Sequence, residues 1–264
     1  MSPQGGDIIA VMSEIRFHDM PDGRSIAFRH NEGAGPVLIF LPGYMSDMEG
    51  GKATALFDWA VQQGRACLLF DYSGCGHSEG EFADGTLSKW REELLSLIEA
   101  CLDEQQQVVL IGSSMGGWLM LLAGLALGER LAGLVGIASA PDFTDWDFDE
   151  EQKRTIRDDG YFQMPLSPEY DFEPLRVYRG FWEDGQAQRL LTETIALDVP
   201  VQLLHGEKDS DVPCQISRKL ADCLRSDQVQ LTFIKDGDHR LSRPQDIALL
   251  LRSVDGLLSD LELS

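Results

Sequence analysis

The stretch that most constrains the fold runs from Val108 to Leu127. Its first residues, Val108 to Ile111, form a short apolar run rich in β-branched side chains, which predicts a buried strand of a parallel sheet. Its last residues, Trp118 to Leu127, form a longer apolar run that predicts a buried helix. Between them lies the pattern Gly-x-Ser-x-Gly, written here as Gly112-Ser-Ser-Met-Gly116. The chain must therefore turn sharply from a strand into a helix at this pattern.

Ser114 is the candidate nucleophile of this turn. A strand-to-helix turn this tight strains its central residue and lifts the serine oxygen above the sheet, while the helix N-terminus favours developing negative charge. Ser113 cannot take this place, because glycines would then be needed at Ile111 and Met115. A bare match to the pattern is also typical of a flexible turn. The strand before it and the helix after it favour the nucleophile interpretation.

Composition narrows the class of protein. A chain of 264 residues can bury one large core, and we expect a single α/β domain over residues 10–264. The net charge of -22 argues against partners that need basic patches, namely nucleic acid and anionic membranes. Five cysteines without regular spacing predict neither a disulfide framework nor a zinc site. No targeting segment is evident, so we expect a cytoplasmic protein, either a monomer or a weak homodimer.

The order of elements predicts the fold class. Glu14–His18 and Ser25–Arg29 are short strands joined by Pro21-Asp22-Gly23, which predicts an antiparallel hairpin at a sheet edge. From Val37 to Ala138, and again from Pro200 to Leu258, short apolar strands alternate with helices. This alternation predicts a mostly parallel, doubly wound sheet of about eight strands.

Residues 141–197 interrupt the alternation, and we expect a small lid insert there. Ten of the 22 aromatic residues of the chain lie between Phe143 and Trp182, which indicates an apolar underside above the serine. Plain packing of an irregular segment would explain the same density. The insert is also acidic, which predicts a rim that repels carboxylated substrates or, more simply, a solvated face. Its acidic residues are Asp145, Asp147, Asp149, Glu150 and Glu151.

A serine hydroxyl needs a base, and the base needs an orienting acid. In folds that carry this serine turn, the acid and then the histidine follow the serine along the chain, in loops after strands. Asp209 lies a few residues beyond the predicted strand Val201–Leu204, where the acid is expected. Glu207 and Asp211 are rivals for the same role.

His239 is the candidate base. It lies in the loop after the last predicted strand, Val229–Ile234, and it is the histidine that follows the candidate acid along the chain. The other four histidines precede that acid: His18, His30, His77 and His205.

Two backbone N–H groups must stabilise the oxyanion of the reaction. One is expected from Met115, the residue after the nucleophile. The other is expected from Tyr44, in the loop after the strand Val37–Leu41, where Gly43 permits a close approach of the backbone. The loop contains Pro42-Gly43-Tyr44 and not the HGGG form of lipases.

Several stretches together resemble the α/β-hydrolase superfamily. Within it they resemble most the abhydrolase-domain enzymes of mitochondria that remove palmitoyl groups from proteins and cleave the acyl glucuronide of mycophenolic acid. The resemblance implies an α/β-hydrolase fold with Ser114 as nucleophile, Asp209 as acid and His239 as base. Residues 141–197 match weakly, so we expect them to decide the substrate. The stretches are Leu41–Ala53, Phe70–Gly74, Leu87–Arg91, Gly112–Met120, Leu203–Asp209 and Asp238–Arg240.

The sequence thus predicts a serine hydrolase that cleaves carboxylic esters or thioesters through an acyl-enzyme, with no metal or cofactor. The expected partner is a small-molecule ester or an acylated protein. Two alternatives remain open: a peptidase or C–C bond hydrolase on the same fold, and a ligand-binding homologue without turnover.

Overall fold

The computed structural model describes residues 14–164 and 175–263, and a large sheet lies at its centre. Its strands are, in chain order, β1 (Arg16–Asp19), β2 (Ser25–Asn31), β3 (Ala34–Leu41), β4 (Arg65–Phe70), β5 (Val108–Ser113), β6 (Leu131–Ile137), β7 (Tyr161–Gln163), β8 (Arg176–Tyr178), β9 (Val201–Gly206) and β10 (Val229–Ile234). Eight of them form the sheet in the order β1-β2-β4-β3-β5-β6-β9-β10, and β7 pairs with β8 outside it.

Helices connect these strands. They are α1 (Gly51–Gln62), α2 (Leu87–Cys101), α3 (Met115–Leu127), α4 (Phe143–Trp146), α5 (Glu150–Asp159), α6 (Arg179–Ala187), α7 (Cys214–Cys223) and α8 (Pro244–Glu262). The helix that follows the serine turn, α3, is buried through its first ten residues because nearly all of its side chains are apolar. None of the helices in the described ranges combines the length and the apolarity needed to cross a membrane.

The sheet is mostly parallel, as predicted. Only β1 with β2 and β2 with β4 run antiparallel, and the remaining neighbours in the sheet are parallel. The predicted edge hairpin is present, and its turn depends on Gly23, which has a φ of +88°. Glycine adopts this conformation without steric cost, so the turn closes with Gly23 N–H donating to Met20 O at 2.8 Å.

The two faces of the sheet carry separate apolar cores, and β3 shows how one strand serves both. Val37, Ile39 and Leu41 contribute to the core that includes α2 and α3. Leu38 and Phe40 contribute to the opposite core, which includes α1 and α8. This alternation follows from the two-residue period of a strand. All residues of β5 and β6 are buried, as the continuous apolar runs predicted.

The region between β6 and β9 contains more regular structure than its sequence pattern indicated. It holds α4, α5, the β7–β8 pair and α6, while residues 165–174 lie outside the described ranges. The helix α5 is set by a capping box, in which Asp149 accepts from Gln152 N–H and the Gln152 side chain accepts from Asp149 N–H. Asp142 fixes the two ends of the region together, because its carboxylate accepts the N–H groups of Leu190 and Leu191, each at 2.8 Å.

Candidate active site

The turn at Ser114 is strained as expected. The strand β5 ends at Ser113 and α3 begins at Met115, so Ser114 alone makes the turn, with a φ of 54° and a ψ of -119°. A residue with a side chain rarely adopts a positive φ, and it stays there only where its surroundings hold it. Two main-chain hydrogen bonds do so: Ser114 N–H donates to Ile137 O at 2.9 Å, and Ser114 O accepts from Ala140 N–H at 3.1 Å.

The two glycines of the pattern are required by close backbone contacts. A Cβ atom on Gly112 would lie 2.4 Å from Gly116 O, and one on Gly116 would lie 2.1 Å from Leu41 O. Real Cβ atoms essentially never approach a non-bonded heavy atom this closely. The chain can therefore turn back over the end of β5 and lie against the loop after β3 only because these positions lack side chains.

The structure brings Ser114, His239 and Asp209 together. His239 Nε2 lies 3.0 Å from Ser114 Oγ, and His239 Nδ1 lies 2.9 Å from Asp209 Oδ2. The three residues come from the loops that follow β5, β9 and β10. These loops meet because the carboxyl ends of parallel strands lie at one edge of the sheet.

Of the candidate acids Glu207, Asp209 and Asp211, Asp209 is the one whose carboxylate lies within hydrogen-bond distance of His239. The Asp209 side chain is fully buried. Its Oδ1 accepts the N–H groups of Asp211, at 2.9 Å, and Val212, at 2.8 Å, which leaves Oδ2 for His239. Glu207 is exposed. The Asp211 main chain thus helps to orient Asp209.

A second histidine, which the sequence did not indicate, also lies against Asp209. His205 Nε2 is 3.3 Å from Asp209 Oδ2, and the His205 side chain is fully buried. Because His205 precedes the candidate acid along the chain, it did not fit the role of the base. Its spacing of four residues from Asp209, across the end of a strand, was the signal for a contact with that acid.

These contacts decide the charge of Asp209. Burial alone would raise the pKa of Asp209, but hydrogen bonds from His205, His239 and the Val212 N–H together hold it well below its usual range. The carboxylate is therefore ionised throughout the neutral pH range.

The loop that carries His239 is held from behind by Lys52 of α1, whose Nζ donates to Arg240 O. Burial lowers the pKa of Lys52 to about 8. The same loop is closed from within by Asp238, whose carboxylate accepts from Leu241 N–H at 2.9 Å. Lys52 and Asp238, which lie outside the group of Ser114, His239 and Asp209, therefore help to position His239.

The two predicted oxyanion donors lie beside Ser114. Met115 is the first residue of α3, and an N–H in this position has no acceptor within its own helix. The loop that carries Tyr44 touches the turn, since a Cβ on Gly43 would lie 3.5 Å from Ser114 Cβ. Ser46 N–H donates to Gly43 O at 3.1 Å and folds this loop back. Within residues 14–164 and 175–263, the Tyr44 N–H donates to no other protein atom.

The side chain of Tyr44 reaches into the insert. Its hydroxyl donates to Arg176 O at 2.8 Å, and its ring centroid lies 4.8 Å from that of Phe181 and 6.1 Å from that of Phe143. Phe143 and Phe181 are themselves buried, so part of the aromatic density is core packing. Of the predicted aromatic set, Tyr170 and Phe172 lie outside the described residues.

The acidic residues of the insert have separate surroundings. Asp149 caps α5, and Glu150 and Glu151 are exposed on its first turn. Asp147, which follows α4, interacts electrostatically with Asp211 and with His239. Among the described residues, no group of three His, Cys, Asp or Glu side chains is arranged to hold a metal ion.

The eight-stranded sheet and the strained serine turn define an α/β hydrolase. The sequence profile of the alpha/beta hydrolase family matches residues 38–248, and the chain belongs to this family. It is 37% identical over 253 residues to the human protein named palmitoyl-protein thioesterase ABHD10, mitochondrial. The matched region covers 94% of this chain and 81% of the human protein.

Two solved structures extend the comparison. The mouse alpha/beta hydrolase domain-containing protein 10 superposes with a TM-score of 0.87 at 35% identity, over 94% of this chain and all of that one. Est1E from Butyrivibrio proteoclasticus, with ferulic acid bound, superposes with a TM-score of 0.77 at 20% identity, again over 94% of this chain and all of that one. The latter likeness concerns the fold alone.

The comparisons correct one prediction. We expected a cytoplasmic protein, because no targeting segment was evident in the sequence. The relatives from human, orangutan, cattle, mouse and rat are all named mitochondrial proteins, so the cytoplasmic prediction is wrong. Receptors read targeting signals, which are separate from the folded domain. The fold and the site therefore do not indicate the cellular compartment.

Asp147 generates a stability prediction that depends on pH. Burial, followed by the neighbouring Asp211 carboxylate, raises the pKa of Asp147 to about 6 from 3.8, and His239 opposes the shift. A raised folded-state pKa means that ionisation destabilises the fold. This penalty is absent below pH 3.8 and complete above pH 6. We therefore expect Asp147→Asn to raise the free energy of unfolding, measured in urea, more at neutral pH than at about pH 4.

The control is Asp158→Asn, because Asp158 is an exposed carboxylate on the same insert. We expect this variant to change stability equally little at both pH values. If Asp147→Asn changed the free energy of unfolding by the same amount at both pH values, the raised pKa inferred from the half-buried position of Asp147 near Asp211 would be wrong.

Proposed function

We propose that this chain is a serine hydrolase that cleaves carboxylic esters or thioesters through an acyl-enzyme, with Ser114, His239 and Asp209 as its catalytic triad. The observation that carries the proposal is the continuous pair of hydrogen bonds from Ser114 Oγ to His239 Nε2, at 3.0 Å, and from His239 Nδ1 to Asp209 Oδ2, at 2.9 Å. Membership of the alpha/beta hydrolase family supports the reaction class.

In the proposed reaction, Ser114 Oγ attacks the substrate carbonyl carbon while its proton passes to His239 Nε2. The resulting oxyanion accepts hydrogen bonds from the N–H groups of Tyr44 and Met115. Asp209 remains ionised, accepts the Nδ1–H of His239 and stabilises the imidazolium. The tetrahedral intermediate then expels the alcohol or thiol, which takes the proton from Nε2.

Deacylation repeats these steps with water. His239 Nε2 takes a proton from a water molecule as its oxygen attacks the acyl carbon, and the proton then passes to Ser114 Oγ as the carboxylic acid leaves. All the proton transfers use groups of this chain, so no step needs a cofactor.

We propose that the acyl group is apolar and that residues 141–197 act as a lid over the serine. Support comes from Tyr44, which lies beside Ser114 and packs its ring against the apolar rings of Phe143 and Phe181 of the insert. The name palmitoyl-protein thioesterase, carried by the human relative, supports a long-chain thioester on a protein. The carboxylate of Asp147 near His239 favours uncharged substrates over carboxylated ones such as acyl glucuronides.

The nucleophile is tested with Ser114→Ala and the matched control Ser113→Ala. Ser113 is the adjacent hydroxyl, buried at the end of β5. We expect Ser114→Ala to abolish labelling by a fluorophosphonate probe and to lower kcat for a p-nitrophenyl ester by about 10⁶-fold. The Ser113→Ala protein should label as the wild type does. Labelling of Ser114→Ala at the wild-type rate would exclude Ser114 as the nucleophile.

The acid is tested by comparing Asp209→Asn with Asp211→Asn. In Asp209→Asn the single side-chain oxygen is needed to accept the N–H groups of Asp211 and Val212, so the amide nitrogen faces His239 Nδ1. That nitrogen can only donate and favours the wrong tautomer of His239, so kcat should fall by about 10⁴-fold. Asp211 contributes its main-chain N–H, which the Asn variant keeps, and its loss of kcat should be far smaller. The opposite ranking of the two variants would assign the acid to Asp211.

The acyl group is tested with p-nitrophenyl esters from acetyl to palmitoyl, assayed beside an S-palmitoyl-cysteine peptide. We expect kcat/KM to rise with chain length because each buried methylene contributes about 0.8 kcal/mol. The thioester should be turned over as well. A preference for acetyl esters without thioester cleavage would contradict the proposed acyl pocket.

A further inference from the structure

A second, buried histidine lies against the proposed acid. His205 is the fifth residue of β9 and has no exposed surface. Its Nε2 lies 2.9 Å from Val212 O and 3.3 Å from Asp209 Oδ2, and its Nδ1 lies 2.6 Å from Ser217 Oγ on α7. The oxygen of Asp209 that faces His205 is the same one that His239 reaches.

The partners of His205 decide where its proton lies. The Val212 carbonyl and the Asp209 carboxylate can only accept hydrogen bonds, so Nε2 must carry the hydrogen. The Ser217 hydroxyl can donate, and in a neutral ring it donates to Nδ1. Ser217 thus selects the tautomer in which Nε2 of His205 carries the hydrogen, with Val212 O at 2.9 Å and Asp209 Oδ2 at 3.3 Å from that nitrogen.

We infer that His205 is a positioning residue of the active site, which holds Oδ2 of Asp209 in place for His239; this inference rests on the proposed function. Asp209 Oδ1 is already fixed by the N–H groups of Asp211 and Val212. With the Nε2–H of His205 shared between Val212 O and Oδ2, both carboxylate oxygens have a donor from the protein interior, and the plane of the carboxylate is set before His239 binds to it. A chain of contacts then runs from Ser217 through His205 and Asp209 to His239 and Ser114.

Two substitutions separate this role from simple packing. The amide nitrogen of His205→Gln can occupy the place of Nε2 and still donate to Asp209. The side chain of His205→Asn ends near Nδ1, so it can still bond to Ser217 but offers no donor to Asp209. His30→Asn on β2 is the control for replacing a partly buried histidine away from the site.

The experiment measures kcat and KM for a p-nitrophenyl ester, per active site titrated with a fluorophosphonate. We expect His205→Asn to lower kcat by about 10- to 100-fold with little change in KM, as is typical when an outer partner of a catalytic histidine network is removed. His205→Gln should recover most of this loss, and the low-field proton resonance of His239 Nδ1–H should shift in the Asn variant only. His30→Asn should match the wild type.

Equal kcat per titrated site in the Asn and Gln variants, with or without lower stability of both, would overturn the inference and leave His205 as a packing residue. A wild-type protein that neither labels nor cleaves esters would overturn the proposed function itself and this inference with it. Labelling of the wild type separates these two outcomes.

Discussion

The architecture of the site depends on one backbone constraint, the positive φ of Ser114 between β5 and α3. Two neighbouring segments maintain it. At the end of β6, Ile137 accepts the Ser114 N–H and Ala140 donates to the Ser114 carbonyl. At the end of β3, Leu41 leaves no space for a side chain on Gly116. Because β3 and β6 are the two neighbours of β5 in the sheet, the strained turn depends on all three strands being in place. The strain is therefore supported by the core and not by the loop itself.

Much of the fold followed from local patterns. The lengths of the apolar runs in β5 and α3 were enough to predict a strand for the first and a helix for the second. The turn residues Pro21-Asp22-Gly23 predicted the edge hairpin. Chain order selected Ser114, Asp209 and His239 for roles that remain proposals, and the structure brings these residues together. Their spacing along the chain could be interpreted because a parallel sheet collects the ends of its strands at one edge.

Other features depend on geometry that no local pattern contains. The contact of His205 with Asp209 requires the chain to reverse after β9, where Asp209 N–H donates to Gly206 O at 3.1 Å. The position of Asp147 near His239 depends on how the insert packs on the rest of the molecule. The short helix α5 has too few apolar side chains to produce a helical pattern in the sequence, and its start is defined by its capping box.

Tyr44 joins two parts of the molecule that are often considered separately. Its main chain lies beside Ser114, while its hydroxyl and ring are held by Arg176 and Phe181 of the insert. In the proposed mechanism, the segment that selects the acyl group therefore also sets the position of an oxyanion donor. New substrate preferences that arise by changing the insert would alter turnover together with affinity, so in this enzyme recognition and rate must diversify as one trait.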